Sequence, residues 1–260
     1  MWGADERNGT KMKIGIADYG MFVWYGAHFD YEERIAMAKE LGYLGLERLY
    51  PTSAEDALRK AAWLKRNGMS FATCNGPTPE LSIQWSAALG AEYVWAEVQG
   101  KTLDNYIRQI SEQARIAAKY GVKVAVHNHL GSLVESQAEI ERVMKECPDV
   151  YLLFDTGHLG VAGGDVKYIA DTYYDRIVAY HLKGWTWSDT PTAANWWERG
   201  YFTGLKQGNL DIDNEYVFKN ACRRGFGGWV MIEQDTHKRD PRLDLSDNMA
   251  VLKGWQSELK

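Results

Sequence analysis

The chain has 260 residues with 45% apolar content, which is enough for a sizeable hydrophobic core and fits one α/β barrel or two small domains, of which we favour the single domain. Its formal net charge of -5 opposes contact with a phosphate backbone, so the sequence predicts no nucleic-acid partner. No apolar run approaches the ~18 residues that a membrane span requires, which predicts a protein without a membrane partner.

The N-terminal end and the cysteines indicate the compartment. Residues 1–11 are polar and lack a signal-peptide core, so we expect a disordered or vector-derived tail before a domain of residues 12–260. Three widely spaced cysteines fit neither a disulfide framework nor a zinc ribbon, which favours free thiols in a reducing compartment. We therefore predict a cytoplasmic protein.

Strand-like and helix-like segments alternate along the whole domain. The strand segments lie at residues 13–18, 43–50, 70–74, 92–98, 122–129, 151–155, 177–183 and 229–233. Amphipathic helices follow most of them: Ser53 caps a helix that Gly68 closes, and Ser136 with Glu139 forms a capping-box pattern. Eight such units without a linker predict a single-domain (β/α)8 TIM barrel.

Ionisable side chains gather at the carboxyl ends of the later strands. Because side chains alternate along a strand, His127 and His129 share one face of the fifth strand, and His181 and Lys183 share one face of the seventh. Further inward or strand-end positions are Glu47, Asp155, His158 and Glu233. A closed barrel brings these ends around one mouth, so the set predicts a metal or acid-base site there.

One connection, residues 184–212, is longer than the others and rich in aromatic residues. These are Trp185, Trp187, Trp196, Trp197, Tyr201 and Phe202. Long loops in compact domains are usually lids or binding loops, so the rings are candidates to lie over the site and cover the apolar face of a sugar, with Trp185 touching the substrate. They are equally consistent with a contact between the subunits of a homo-oligomer.

The strand-end residues resemble those of a known family, the xylose-isomerase-like barrels of the sugar phosphate isomerase/epimerase superfamily. Many members have Glu-Asn-His on strand five, Asp-Thr-x-His on strand six, His-x-Lys on strand seven and a glutamate ending strand eight. The corresponding residues here are His127-Asn128-His129, Asp155-Thr156-Gly157-His158, His181-Leu182-Lys183 and Glu233. The strand-five histidines and the run Phe202-Thr203-Gly204 before residues 208–212 are most similar to the inosose dehydratases within that family.

The resemblance implies a divalent metal ion held by Asp155, His181 and Glu233. In the family a strand-five glutamate is also a ligand, and His127 stands in its place as the fourth candidate. Manganese or cobalt is the metal that the resemblance implies, whereas coordination chemistry equally allows zinc, iron or magnesium for a mixed nitrogen and oxygen set.

The other residues of the site receive catalytic and substrate-binding roles. His129 is the predicted base, because it faces the same way as His127 and lies one step nearer the barrel mouth. His158 and Lys183 are predicted to hold or protonate substrate oxygens. The predicted substrate contacts are Glu47, Asn128 and Trp185, and the alternative for Glu47 is a role as a barrel-mouth ion-pair partner.

The resemblance to inosose dehydratases implies a metal-dependent lyase that dehydrates a keto-polyol or keto-sugar such as an inosose. The predicted route is α-proton abstraction, a metal-stabilised enediolate and β-elimination. The same enediolate would serve a ketose isomerase or epimerase, or an eliminase of keto-glycosides. The acidic charge and too few strand-end histidines for three metal ions count against a nuclease of this fold. A non-enzymatic sugar-binding barrel is the remaining alternative.

Overall fold

The computed structural model describes residues 12–17, 31–233, 235 and 238–259, and the predicted tail of residues 1–11 lies outside them. The strands are β1 (Lys13–Ala17), β2 (Gly45–Leu49), β3 (Ser70–Cys74), β4 (Tyr93–Trp95), β5 (Lys123–His127), β6 (Val150–Asp155), β7 (Ile177–Leu182), β8 (Gly184–Trp187), β9 (Gly200–Thr203) and β10 (Trp229–Glu233). The α-helices are α1 (Tyr31–Leu41), α2 (Ala54–Arg66), α3 (Pro79–Leu89), α4 (Leu103–Ala118), α5 (Gln137–Glu146), α6 (Thr156–Val161), α7 (Val166–Thr172), α8 (Trp196–Arg199), α9 (Asn214–Arg223) and α10 (Pro241–Ser257).

Eight parallel strands form a nearly closed barrel, which confirms the predicted (β/α)8 fold. Their hydrogen-bonded order is β3-β2-β1-β10-β7-β6-β5-β4, and the end strands β3 and β4 contact each other. The register places Asp155 of β6 beside His181 of β7, and Glu233 of β10 beside Ala17 of β1. Because all eight strands run the same way, their carboxyl ends surround one mouth.

Two apolar layers stabilise the barrel. The inner layer, which fills the space between the strands, includes Ala17, Ala72, Tyr93, Ala125, Leu153, Ala179, Trp229 and Met231. Small residues are required where the strands converge, since a Cβ added at Gly15 would lie 2.6 Å from Met231 Sδ. The outer layer packs the opposite strand faces, such as Val124 and Val126, against the helices.

The helix ends follow the local sequence. The Ser53 side chain accepts a hydrogen bond from the Asp56 backbone N–H and so caps α2, as predicted. Ser136 and Glu139 form the predicted capping box of α5. After α2 the chain turns at Gly68, whose φ of +68° lies in the left-handed region that favours glycine. These signals set where each helix joins the barrel.

Three parts of the fold differ from the sequence prediction. Helix α6 begins immediately after β6, because the Asp155 side chain accepts from the His158 backbone N–H and caps it. Residues 184–212 are not an irregular loop, since β8 and β9 pair as antiparallel strands and α8 lies in the segment that connects them. Helix α9 was not predicted at all. Helix α6 is too short to show a clear period, whereas α9 buries Val217, Phe218 and Ala221 at helical spacing, a signal that the sequence prediction missed.

The cysteines are free, as predicted. Cys74 and Cys147 are buried, and Cys222 is half-buried. Burial raises the pKa of the Cys74 thiol to about 12, so it stays protonated at neutral pH. Within the described ranges, no helix is long and apolar enough to cross a membrane.

Candidate active site

The barrel mouth is a buried cluster of charged and imidazole side chains. Asp155 and His181 are fully buried, His158 and Lys183 are 1% exposed, and Glu233 is 6% exposed. Charges removed from water are costly unless each has a close partner of opposite sign or a metal ion. The contacts of the cluster therefore show how the site is organised.

The Lys183 ammonium lies at the centre of the cluster. Its Nζ is 2.9 Å from Asp155 Oδ2, 3.2 Å from His158 Nε2 and 3.2 Å from Asp235 Oδ2, and it also contacts Glu233 Oε2. Burial alone would lower the pKa of Lys183, but the three carboxylates raise it above its usual value. The same ammonium holds the pKa of Asp155 well below its usual range, although burial opposes this shift.

His181 lies between three carboxylates. Its Nε2 is 2.8 Å from Glu47 Oε1, and its Nδ1 is 3.1 Å from Glu233 Oε2 and 3.6 Å from Asp155 Oδ2. Burial alone would lower the pKa of His181, but Glu47 and Glu233 raise it well above its usual value. A carboxylate that accepts from Nε2 fixes the ring and turns Nδ1 toward the other two carboxylates.

Three imidazoles face this cluster: His127 at the end of β5, His129 two residues after it, and His158 on α6. His127 Nε2 is 3.4 Å from Asp155 Oδ2, and burial lowers the pKa of His127 to about 4. Burial and then the Lys183 charge lower the pKa of His129, and burial lowers the pKa of His158 well below its usual value. The His129 and His158 ring centroids are 3.8 Å apart. All three rings are therefore neutral at pH 7.

The tautomer of His129 follows from one contact. Its Nδ1 is 2.7 Å from the Leu130 carbonyl oxygen, which only accepts hydrogen bonds, so Nδ1 carries the proton. In a neutral ring this leaves an unprotonated Nε2. His129 thus has the protonation state that a general base needs.

The donor atoms at the mouth fit a divalent metal ion. His127, Asp155, His158 and Glu233 each offer an atom that lies within 4.8 Å of the others. Three of these residues belong to the predicted ligand set; His158 was not predicted as a ligand, and the predicted His181 lies outside this group. His181 Nδ1 nevertheless faces Asp155 and Glu233 at the distances given above. Two carboxylates with several imidazoles form a mixed nitrogen and oxygen set typical of transition-metal sites.

Two predicted substrate contacts are engaged by the protein itself. Asn128 is fully buried; its Nδ2 donates to the Asp155 carbonyl oxygen at 2.9 Å, and its Oδ1 accepts from the Asp155 N–H at 2.8 Å. Trp185 is also fully buried, and its ring centroid is 4.8 Å from that of Phe202. These side chains expose no surface to a ligand: Asn128 fixes the end of β6, and Trp185 forms the core of the hairpin. The third predicted substrate contact, Glu47, is also fully buried. Its carboxylate pairs with His181, which is the kind of contact expected under its alternative role as an ion-pair partner at the barrel mouth.

The structure adds residues that the sequence prediction missed. Asp235 contacts Lys183, and its position two residues after Glu233 was a usable signal because both share one strand parity. Trp95 ends β4, and its ring centroid is 4.7 Å from that of His127.

Two rings from the aromatic connection also contact the imidazoles of the mouth. The Trp196 centroid is 5.9 Å from that of His129, and the Phe202 centroid is 4.7 Å from that of His158. Residues of the predicted aromatic segment therefore border the site.

Known proteins are similar to this chain in sequence and in fold. The sequence is 32% identical to an inosose dehydratase of Lactiplantibacillus plantarum over 152 residues, which cover 54% of this chain and 50% of that relative, about half its length. It is 26% identical to an inosose dehydratase of Clostridium botulinum, covering 91% of this chain and 93% of the relative. A crystal structure of an IolI protein with a bound zinc atom superposes with a TM-score of 0.66 at 16% identity, over 95% of this chain and 98% of the other. A family model for the xylose isomerase-like TIM barrel matches residues 35–255, and the chain belongs to that family.

Proposed function

We propose that this protein is a divalent-metal-dependent dehydratase that acts on a keto-polyol or keto-sugar of the inosose type. The observation that carries the proposal is a neutral imidazole with an unprotonated Nε2, His129, beside a buried cluster of metal-type ligands and an ammonium group. This combination offers a base, a site for a Lewis acid and a proton donor in one cluster. The names of the two relatives support the same reaction class.

The metal-binding residues in this proposal are Asp155, Glu233, His181 and His127, with His158 as the remaining candidate ligand. Glu47 has a positioning role, because it holds His181 so that Nδ1 faces the two carboxylates. When bound, a divalent ion supplies a Lewis acid that polarises a substrate carbonyl. The ligand types fit manganese, cobalt and zinc alike.

Two residues of the site, His129 and Lys183, are assigned the proton transfers. His129 Nε2 takes the proton from the carbon next to the carbonyl. The electrons of that C–H bond form a carbon–carbon double bond as the bond to the β-hydroxyl breaks, and Lys183 protonates the departing oxygen to give water. The Nδ1 of neutral His158 accepts from the Leu130 backbone N–H at 3.3 Å, so its Nε2 carries the proton and donates to a substrate oxygen. Solvent then restores both protonation states.

The aromatic residues at the mouth complete the pocket. Trp95, Trp196 and Phe202 lie against the imidazoles. Rings at a sugar site cover the apolar face of the substrate, where C–H groups lie. They also exclude water, which strengthens the electrostatic contacts of the buried groups.

The test is the mass of the product. Protein loaded with Mn²⁺ is incubated with an inosose and with a panel of ketoses and keto-glycosides, and a chelator-treated sample serves as the control. The proposal requires a product lighter by one water that forms only in the metal-loaded sample. A product lighter by one aglycone would assign the protein as a keto-glycoside eliminase. An isobaric product would assign it as an isomerase or epimerase, and binding without turnover would leave the sugar-binding barrel.

A further inference from the structure

Lys183 and the proposed metal ion need the same oxygen atoms. The Lys183 Nζ lies 2.9 Å from Asp155 Oδ2 and contacts Glu233 Oε2, and both residues are proposed ligands. It also lies 3.2 Å from His158 Nε2, so it touches three of the four residues that could surround an ion. Two cations at such short separation repel strongly in a buried site. An ion can therefore bind only if the ammonium leaves these oxygens.

Asp235 is an alternative ion-pair partner for the Lys183 ammonium. Its Oδ2 already lies 3.2 Å from Lys183 Nζ, and it is not part of the group of four possible ligands. Its Oδ1 is buried and, in the part of the chain that the structure describes, accepts no hydrogen bond. A buried carboxylate oxygen without a donor is costly, so a donor that moves toward it stabilises the site.

The stem of Lys183 limits how far the ammonium can move. A Cβ added at Gly157 would lie 2.5 Å from Lys183 Cγ, which shows that the stem packs directly on the α6 backbone. The Nζ lies 4.2 Å from the centroid of the Phe202 ring, which covers it from the hairpin. Only the end of the side chain has room to shift, and Asp235 is within its reach.

We propose that Lys183 occupies the metal site of the ion-free protein and transfers to Asp235 when a divalent ion binds. The inference rests on the metal dependence proposed above. Asp235 is then a positioning residue: it keeps the ammonium beside the substrate instead of on the ligand oxygens. The exchange also couples metal loading to the placement of the proton donor, so that the acid reaches its working position only in the loaded site.

A double-mutant cycle on Mn²⁺ affinity tests this exchange. Mn²⁺ is titrated into wild type, Lys183→Met, Asp235→Asn and the double variant, and the EPR signal of the free ion gives the affinity of each protein. Removing the competing ammonium should tighten Mn²⁺ binding about tenfold or more. Asp235→Asn should weaken binding about tenfold in the wild-type background, and less than about twofold in the Lys183→Met background. Asp247→Asn removes the same charge from a 53% exposed side chain on α10 and is the matched control.

The outcomes separate the inference from the proposed function. If Asp235→Asn weakens Mn²⁺ binding equally in both backgrounds, Asp235 acts only as a nearby negative charge. If Lys183→Met binds Mn²⁺ as well as or more weakly than wild type, Lys183 does not compete with the ion. Either result overturns the inference. Absence of Mn²⁺ binding in every protein would instead overturn the metal dependence itself. If Lys183→Met does not fold, a crystal structure of the wild type with Mn²⁺ decides: Nζ still bonded to Asp155 Oδ2 contradicts the exchange.

Discussion

Two layers inside the same barrel differ completely in chemistry. The inner faces of four strands each carry an apolar residue followed, two positions later, by an ionisable one: Ala125 and His127 on β5, Leu153 and Asp155 on β6, Ala179 and His181 on β7, and Met231 and Glu233 on β10. One strand repeat of about 7 Å separates the apolar layer from the ionisable layer. The side chains of the upper layer are at most 8% exposed and those of the apolar layer are fully buried, so exposure to water is not what separates the layers.

The difference shows how the barrel divides stability from chemistry. The apolar layer needs only the right volume and has no polar atoms to satisfy. Each charge in the upper layer instead depends on its neighbours, as Lys183 does on Asp155, Glu233 and Asp235. Removal of one partner there leaves a buried charge without compensation. A change in the lower layer should therefore affect folding alone, whereas a change in the upper layer should affect binding and turnover and, where it leaves a buried charge unpaired, folding as well.

The largest expected effect is on the lower layer. Leu153→Ala should lower the free energy of unfolding by about 3 kcal/mol, because it removes buried apolar atoms and leaves a cavity inside the barrel. Chemical denaturation of the metal-free protein measures this. Leu58→Ala in α2 removes the same atoms from a side chain that is 62% exposed, and it should change stability by less than about 0.5 kcal/mol. Loss of Mn²⁺ affinity in folded Leu153→Ala would show that the two layers are not independent.

The next effect separates two histidines of the upper layer. His129→Ala should reduce turnover about 100-fold and leave Mn²⁺ occupancy unchanged, because it removes the proposed base but no ligand. His127→Ala should lower the occupancy, since it removes an imidazole that lies 3.4 Å from Asp155. Metal analysis of each purified variant beside its kcat measures both. Equal occupancy with equal loss of turnover in the two variants would mean that these roles are wrongly divided.

Much of the fold follows from periodicity in the sequence. Strand alternation puts Val124 and Val126 on the face of β5 opposite His127, and these two valines pack in the outer layer against the helices. Short elements are harder to predict. Asp155 both ends β6 and caps α6, and a single residue with two functions leaves no separate start signal for the helix.

The candidate site was predicted less completely than the fold. Strand parity brings His127, Asp155, His181 and Glu233 to one mouth, as the structure shows. Parity does not say which side chains of different strands touch. The bond of Glu47 to His181 joins residues 134 positions apart, and the burial of Asn128 depends on β6 lying beside β5. Such pairings are set by barrel closure, which no local pattern contains.

The smallest expected effect sharpens the border between the upper layer and the aromatic segment. Trp196→Ala should raise KM about fivefold with little change in kcat, because it removes a ring that lies 5.9 Å from His129 and is worth about 1 kcal/mol of substrate contact. Trp197→Ala is the matched control: the Trp197 side chain is 61% exposed, so its removal should leave KM unchanged. Steady-state kinetics and sedimentation velocity are measured on both. If either variant changes its oligomeric state while KM stays the same, the aromatic segment forms a subunit contact. A ring that covers the substrate would instead change KM and leave the oligomeric state as it is.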